Sequence, residues 1–138
     1  ISNEELLALE CDFLIPAALG SAINESNVDS LNCKVIIEAA NGPVTGEAAN
    51  KLWKRKIAII PDILTNAGGV TVSYFEWVQN LQQFKWTEEE VNKKLEDKMV
   101  QAFKEVHDVK VNQKIPMRIA SFMVAIDRVE RSYTLRGG

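Results

Sequence analysis

The sequence is short of the residues that carry nucleophilic and metal chemistry. Its 138 residues hold one histidine and two cysteines. The histidine, His107, lies in a charged segment of helical pattern, far from the loops that gather other polar side chains. No CxxC pair and no Cys/His cluster has the spacing of a metal site, so no metal is expected. Cys11 and Cys33 each stand at the head of an apolar run. Both are expected to be buried free thiols, which suits a reducing, cytoplasmic setting. No apolar run approaches the roughly 18 residues of a membrane span, which excludes a helical membrane anchor. A basic excess is also missing: the net charge is −3, which excludes the basic face of a non-specific nucleic-acid binder. The opening, ISNEELLALE, is acidic and has no leader pattern. Neither GxGxxG nor a Walker loop occurs, so nothing in the chain is patterned to cradle a pyrophosphate.

What is present reads as an α/β chain. Ser2 and Glu5 have the spacing of a capping box and open a short helix over about 3–9. Short apolar runs follow at DFLIP, at about 34–38 and at about 57–60, recurring some 22–23 residues apart. Continuous apolar strands at that interval, separated by helical or loop segments, indicate a parallel sheet. DFLIP is expected to be buried. Thr45 is placed to cap a helix carrying Ala48, Ala49, Leu52 and Trp53.

From about residue 66 the pattern becomes helical throughout. Val70, Tyr74, Trp77, Val78 and Leu81 predict one packed stripe. Thr87 and Glu90 form a second capping box, after which Val91, Leu95, Met99, Ala102, Phe103 and Val106 predict another. A polar break is expected over Val109–Lys114. Pro116 suits the first turn of a last, well-buried helix that ends at Gly137 and Gly138.

Three loops fall after the three strands: PAALG (16–20), AANGP (39–43) and LTNAGG (64–69). In an open parallel sheet, ligands bind beyond the carboxyl ends of the strands. All three loops are rich in small residues, which lets a flat ligand come close, and Asn41 and Asn66 offer donors and acceptors suited to a carboxamide or ribose. The plain alternative is that these are turn residues. NAGG leads into a helix, whose N-terminus favours negative charge. Val70 and Ser73 stand one turn apart just inside it. Ser73 suits a carboxylate and Val70 an aliphatic chain, or Ser73 is a tolerated small helix residue. No lysine or histidine lies in the three loops, so no catalytic acid or base is assigned to this chain.

CDFLIPAAL, EAANGPVTGEA, PDILTNAGGVTVSYFEWVQN and MRIASFMVAIDRV, in this order over essentially the whole chain, resemble the C-terminal part of hexameric glutamate dehydrogenases, within the glutamate/leucine/phenylalanine/valine dehydrogenase family. The resemblance implies the second half of a Rossmann-like doubly wound parallel sheet followed by C-terminal helices, with residues 1–138 as the later portion of an NAD(P)-binding domain. It implies oxidative deamination of L-glutamate to 2-oxoglutarate and ammonia, NAD or NADP as cofactor, and a homo-hexamer. Ala17 and Ala18 would lie along the dinucleotide. Asn41 and Asn66 would serve its nicotinamide end. Val70 and Ser73 would line the glutamate pocket, with Ser73 donating to the γ-carboxylate. Relatives acting on leucine, phenylalanine or valine typically carry an apolar residue where Ser73 stands, which favours glutamate. The family's catalytic lysines, its aspartate and its GxGxxG loop find no match here. The chain is therefore expected to be a C-terminal fragment, inactive alone; the other reading is a non-catalytic stand-alone assembly or regulatory partner.

Overall fold

The computed structural model describes residues 1–137, and the chain divides into two compact units, Ile1–Thr65 and a second from Asn66 onward. Gly138, expected with Gly137 to close the last helix, lies outside the described residues.

The first unit is α/β. Helix α1 (Asn3–Leu7) opens with the anticipated box: the Ser2 hydroxyl accepts from the Glu5 N–H, and the Glu5 carboxylate accepts from the Ser2 N–H. Strands β1 (Cys11–Leu14), β2 (Cys33–Ile37) and β3 (Ala58–Ile60) form a parallel sheet in the order β1-β2-β3, in the register Phe13–Val35 and Val35–Ala58. A 3-10 turn (Val28–Ser30) lies in the β1–β2 connection, and helix α2 (Gly46–Lys54) links β2 to β3. The Thr45 hydroxyl caps α2 by accepting from the Ala48 N–H. Ala48 and Leu52, four residues apart, put one face of α2 into the core with Ile23, Val28, Leu31 and Ile36. Each large side chain fully buried there contributes about 1.5–3 kcal/mol of transfer free energy. Arg55 ties the 3-10 turn to the end of α2, donating to the carbonyls of Val28 (2.5 Å) and Leu31 (2.6 Å).

Two expectations for this unit are corrected. DFLIP is not a buried strand: Asp12, Phe13 and Ile15 are exposed, Phe13 by 61%, because little packs over these side chains where they leave the face of the sheet. Helix α2 does carry Trp53, with its side chain exposed. Cys11 and Cys33 are free but half-buried rather than buried. They are register partners on β1 and β2, and burial pushes the Cys33 thiol up, away from the reactive thiolate. A one-turn helix α3 (Asp62–Thr65) was also unforeseen. It follows β3 directly after Pro61.

The second unit is helical: α4 (Ala67–Gln82), α5 (Glu88–Gln113) and α6 (Met117–Leu135), with α4 against α5 and α5 against α6. The Thr87–Glu90 box caps α5 as its spacing predicts. Trp86 joins α4 to α5. Its backbone N–H donates to Gln79 Oε1 at 2.8 Å, its ring meets Phe75 edge-on, and the Lys94 ammonium lies 4.8 Å from the ring centre.

The α4 stripe is displaced. Phe75 is the buried residue, flanked by half-buried Thr71 and Val78, whereas Val70, Tyr74, Trp77 and Leu81 are exposed. Both rows have helical period, and α4 packs by the other one. The break at Val109–Lys114 does not occur: α5 runs to Gln113 and stops where Lys114 turns left-handed at φ 54°. Val109 continues the inward row Val91, Leu95, Met99, Ala102 and Val106, and the stretch holds no glycine or proline to end it. Pro116 occupies the cap of α6, beside the first turn. That helix is not well buried. Met117, Ala120 and Ser121 face inward, while Ile119, Phe122, Met123 and Ile126 are exposed.

Candidate functional site at the carboxyl ends of the strands

The parallel sheet brings the ends of β1 and β2 to one edge of the first unit, and hydrogen bonds join the loops that leave them. The N–H groups of Ala39 and Ala40 both donate to the Pro16 carbonyl, at 3.1 and 2.9 Å. The Ser21 N–H donates to the Gly42 carbonyl at 2.8 Å. Ile23 then forms an isolated parallel bridge with Val44. A Cβ built on Gly20 would stand 3.2 Å from the Asn41 carbonyl oxygen, so the two loops are in tight contact at that point. Gly42 sits at φ 55°, a left-handed turn that favours glycine. PAALG and AANGP therefore meet, and Ala17, Ala18 and Asn41 are all exposed on them.

Two acidic residues that the sequence reading passed over support this edge. Glu38, the residue after β2, is fully buried. Its Oε2 accepts from the Asp62 N–H at 3.0 Å. Asp62 Oδ2 in turn accepts from the Gly42 N–H at 2.8 Å. The signal was available: KVIIE puts a carboxylate directly after an apolar strand, and IIPD puts one two residues after. Farther from the edge, the Thr45 hydroxyl donates to Glu25 at 2.5 Å. That bond holds the Glu25 carboxyl below its ordinary range.

The remaining candidates belong to the second unit. Asn66 adopts right-handed helical angles and does not cap α4 with its side chain. Val70 and Ser73 follow on the outer face of α4, one turn apart and both exposed, Val70 by 69%. Thr71, between them, turns inward and donates to the Ala67 carbonyl at 2.7 Å. Gly68 faces α5: a Cβ there would lie 3.9 Å from Leu95 Cδ1 and Met99 Sδ. A Cβ on Gly69 would meet nothing within 4 Å. His107, on α5, stacks against Phe103 with ring centres 5.8 Å apart. Among the described residues, no group of three or more His, Cys, Asp or Glu is placed to hold a metal ion, and no helix is long and apolar enough to cross a membrane.

The profile of the Glutamate/Leucine/Phenylalanine/Valine dehydrogenase family matches residues 1–137. The chain belongs to that family. It is 48% identical over 137 residues to an NAD-specific glutamate dehydrogenase of Staphylococcus aureus, an alignment covering 99% of this chain and 33% of that protein. The crystal structure of glutamate dehydrogenase from Peptoniphilus asaccharolyticus superposes with a TM-score of 0.85 at 45% identity, over 89% of this chain and 31% of that one. The hetero-hexameric glutamate dehydrogenase from Thermus thermophilus, in a leucine-bound form, gives a TM-score of 0.94 at 28% identity, over 100% of this chain and 33% of that one. The chain thus spans about a third of the length of the curated relatives it matches.

The family implies a nicotinamide dinucleotide, and the first unit offers a partial fit. The exposed alanines and Asn41 lie on a tightly held edge, which suits the flat nicotinamide and ribose. The pyrophosphate would need a cradle that no motif in this sequence provides.

Proposed function

We propose that this chain works as part of an NAD-dependent dehydrogenase subunit that oxidatively deaminates L-glutamate to 2-oxoglutarate and ammonia. The observation that carries the reading is the 48% identity, over 99% of this chain, to a protein named as an NAD-specific glutamate dehydrogenase. In this reading residues 1–138 are the later portion of a Rossmann-like nucleotide domain, helical from about 66, and the subunit assembles with others, as the hetero-hexameric relative does. NAD is preferred to NADP on the relatives' names.

A bound nicotinamide would supply the acceptor for the hydride that leaves the substrate's Cα, and Ala17, Ala18, Asn41 and Asn66 are the residues of this chain that would hold it. This chain's residues bind and orient. Ala17 and Ala18 give the dinucleotide a flat surface, and Asn41 and Asn66 supply hydrogen bonds at its nicotinamide end. The Ser73 hydroxyl donates to the substrate's γ-carboxylate, and Val70 lies along its aliphatic chain. No residue here is assigned the proton transfers, so the 138-residue chain alone is expected to be inactive.

Ser73→Val in the dehydrogenase subunit carrying this segment tests the reading. Loss of a hydrogen bond to a charged group is worth about 1.5–3 kcal/mol, or roughly 10- to 150-fold in kcat/KM for glutamate. The apolar replacement suits norvaline better. An unchanged ratio of kcat/KM between glutamate and norvaline would make Ser73 a structural helix residue and remove the assigned pocket.

A further inference from the structure

Asn41, in the dehydrogenase reading on which this inference rests, stands on a loop, and loops are the mobile parts of α/β sheets. This loop is held from two sides. On one side the Gly42 carbonyl accepts from the Ser21 N–H at 2.8 Å, and the Asn41 carbonyl lies against Gly20. On the other side the Gly42 N–H, which belongs to the same peptide group as the Asn41 carbonyl, donates to Asp62 Oδ2 at 2.8 Å. Asp62 is twenty residues away, at the start of α3. Its own backbone N–H donates to Oε2 of Glu38, the residue after β2. The Glu38 N–H donates to the Ile60 carbonyl at 3.0 Å, which extends the ladder between β2 and β3 by one residue.

We propose that Asp62 and Glu38 are positioning residues for cofactor binding: a two-carboxylate strut that fixes the Asn41–Gly42 peptide before a ligand arrives. A buried carboxyl carries a desolvation cost that hydrogen bonds to its oxygens offset, and Glu38 directs Oε2 to the backbone N–H of Asp62, the residue whose side chain holds Gly42. Gly42 alone would permit the turn, but glycine permits many conformations, and hydrogen bonds to a carboxylate are the stronger kind that select one. A side chain held in place beforehand does not lose binding energy to its own ordering. Neither carboxylate touches the ligand in this arrangement. Both act through the backbone that carries Asn41.

The test uses Asp62→Ala and Asp62→Asn in the dehydrogenase subunit carrying this segment. Two quantities are followed: hydrogen–deuterium exchange of the 39–44 backbone, and KM for NAD against KM for glutamate. Asp62→Ala is expected to speed exchange of that peptide and to raise the NAD KM by roughly 2- to 10-fold, no more than loss of the uncharged Asn41 hydrogen bond itself would. The glutamate KM should not move. Asp62→Asn keeps an acceptor oxygen for the Gly42 N–H and is expected to recover most of the loss. Faster exchange with an unchanged NAD KM would overturn the positioning role. So would a parallel rise of both KM values, or an Asp62→Asn variant as impaired as Asp62→Ala. Unchanged exchange in Asp62→Ala would overturn the strut itself. A wild-type subunit that uses no dinucleotide would overturn the underlying reading, and the ligand part of this proposal with it. A wild type that uses NAD beside an Asp62→Ala variant that uses it equally well would overturn the proposal alone.

Discussion

Gly69→Ala is expected to make the chain more stable and the dehydrogenase worse. Gly69 is the third residue of α4, and a methyl group added there meets nothing within 4 Å. Glycine inside a helix costs up to about 1 kcal/mol relative to alanine, through the backbone freedom that it loses on folding. No contact in the unit offsets that cost at this position. Gly68 makes the comparison useful. A methyl there reaches 3.9 Å from Leu95 and Met99, an ordinary contact, so Gly68→Ala should stabilise at least as much. Unfolding entropy of about 2.1 cal/mol/K per residue over 138 residues converts a gain of 1 kcal/mol into roughly 3 °C of Tm. Thermal denaturation followed by circular dichroism reads this directly, and a lower Tm for Gly69→Ala would refute the argument. The two variants should part in catalysis. Under the dehydrogenase proposal the open space beside Gly69 belongs to the ligands. Its methyl should cut kcat/KM between about 10- and 100-fold, as displacements of the order of an ångström do. The Gly68 methyl points to α5 and should leave kcat/KM unchanged. A stabilised Gly69→Ala enzyme with full kcat/KM would mean that this space is idle.

Leu52→Ala, at a fully buried core position, is expected to cost about 2–5 kcal/mol. This should appear as a lower denaturant midpoint at constant m-value; a shift below about 0.5 kcal/mol would show the site to be malleable. Asn41→Ala should raise the NAD KM by the loss of an uncharged hydrogen bond, about 0.5–1.5 kcal/mol. A rise confined to the glutamate KM would refute its assignment. The chain should also lose stability in acid. The Thr45 hydroxyl holds the Glu25 carboxyl below its ordinary range, and Arg128 does the same for Glu105. A carboxyl depressed in the folded state stabilises above its unfolded pKa. That contribution fades as the pH falls from roughly 4.5 through the depressed values. Glu25 is exposed and Glu105 half-buried at the surface, so the effect is small and screened by salt. Arg128→Ala should flatten the acid limb of a stability–pH curve, and an unaltered limb would exclude the pair.

The elements that could be read in advance were those fixed by local chemistry. Ser2, Thr45 and Thr87 mark helix starts because a hydroxyl in those positions satisfies a backbone N–H that would otherwise lack a partner. The parallel sheet was legible because apolar runs of strand length recurred at an interval that needs a crossover. Faces were harder to read. α4 carries two apolar rows, Val70–Tyr74–Trp77–Leu81 and Thr71–Phe75–Val78, and periodicity cannot say which one packs. Phe13 and Ile126 misled because an apolar side chain announces what it prefers and not whether a neighbour stands over it. At the carboxyl edge of the sheet, the meeting of the PAALG and AANGP loops followed from the parallel order. The Glu38–Asp62 connection did not, because it joins residues 24 positions apart through one backbone N–H.

Helix α5 has 26 residues, about 39 Å at 1.5 Å per residue. It packs against both α4 and α6. Its inward row, Val91 to Val109, keeps one phase from end to end. Deleting a single residue in the middle would turn everything beyond the cut by about 100°. Leu95 would still point into the unit while Val106 swung to the outside, and α6 would lose its bed. Removing seven residues would leave a rotation of only about 20° and shorten the helix by two turns with the row intact. Changes in the length of α5 should therefore be accepted in steps of seven and rejected in steps of one, even where every substituted residue is a good helix former.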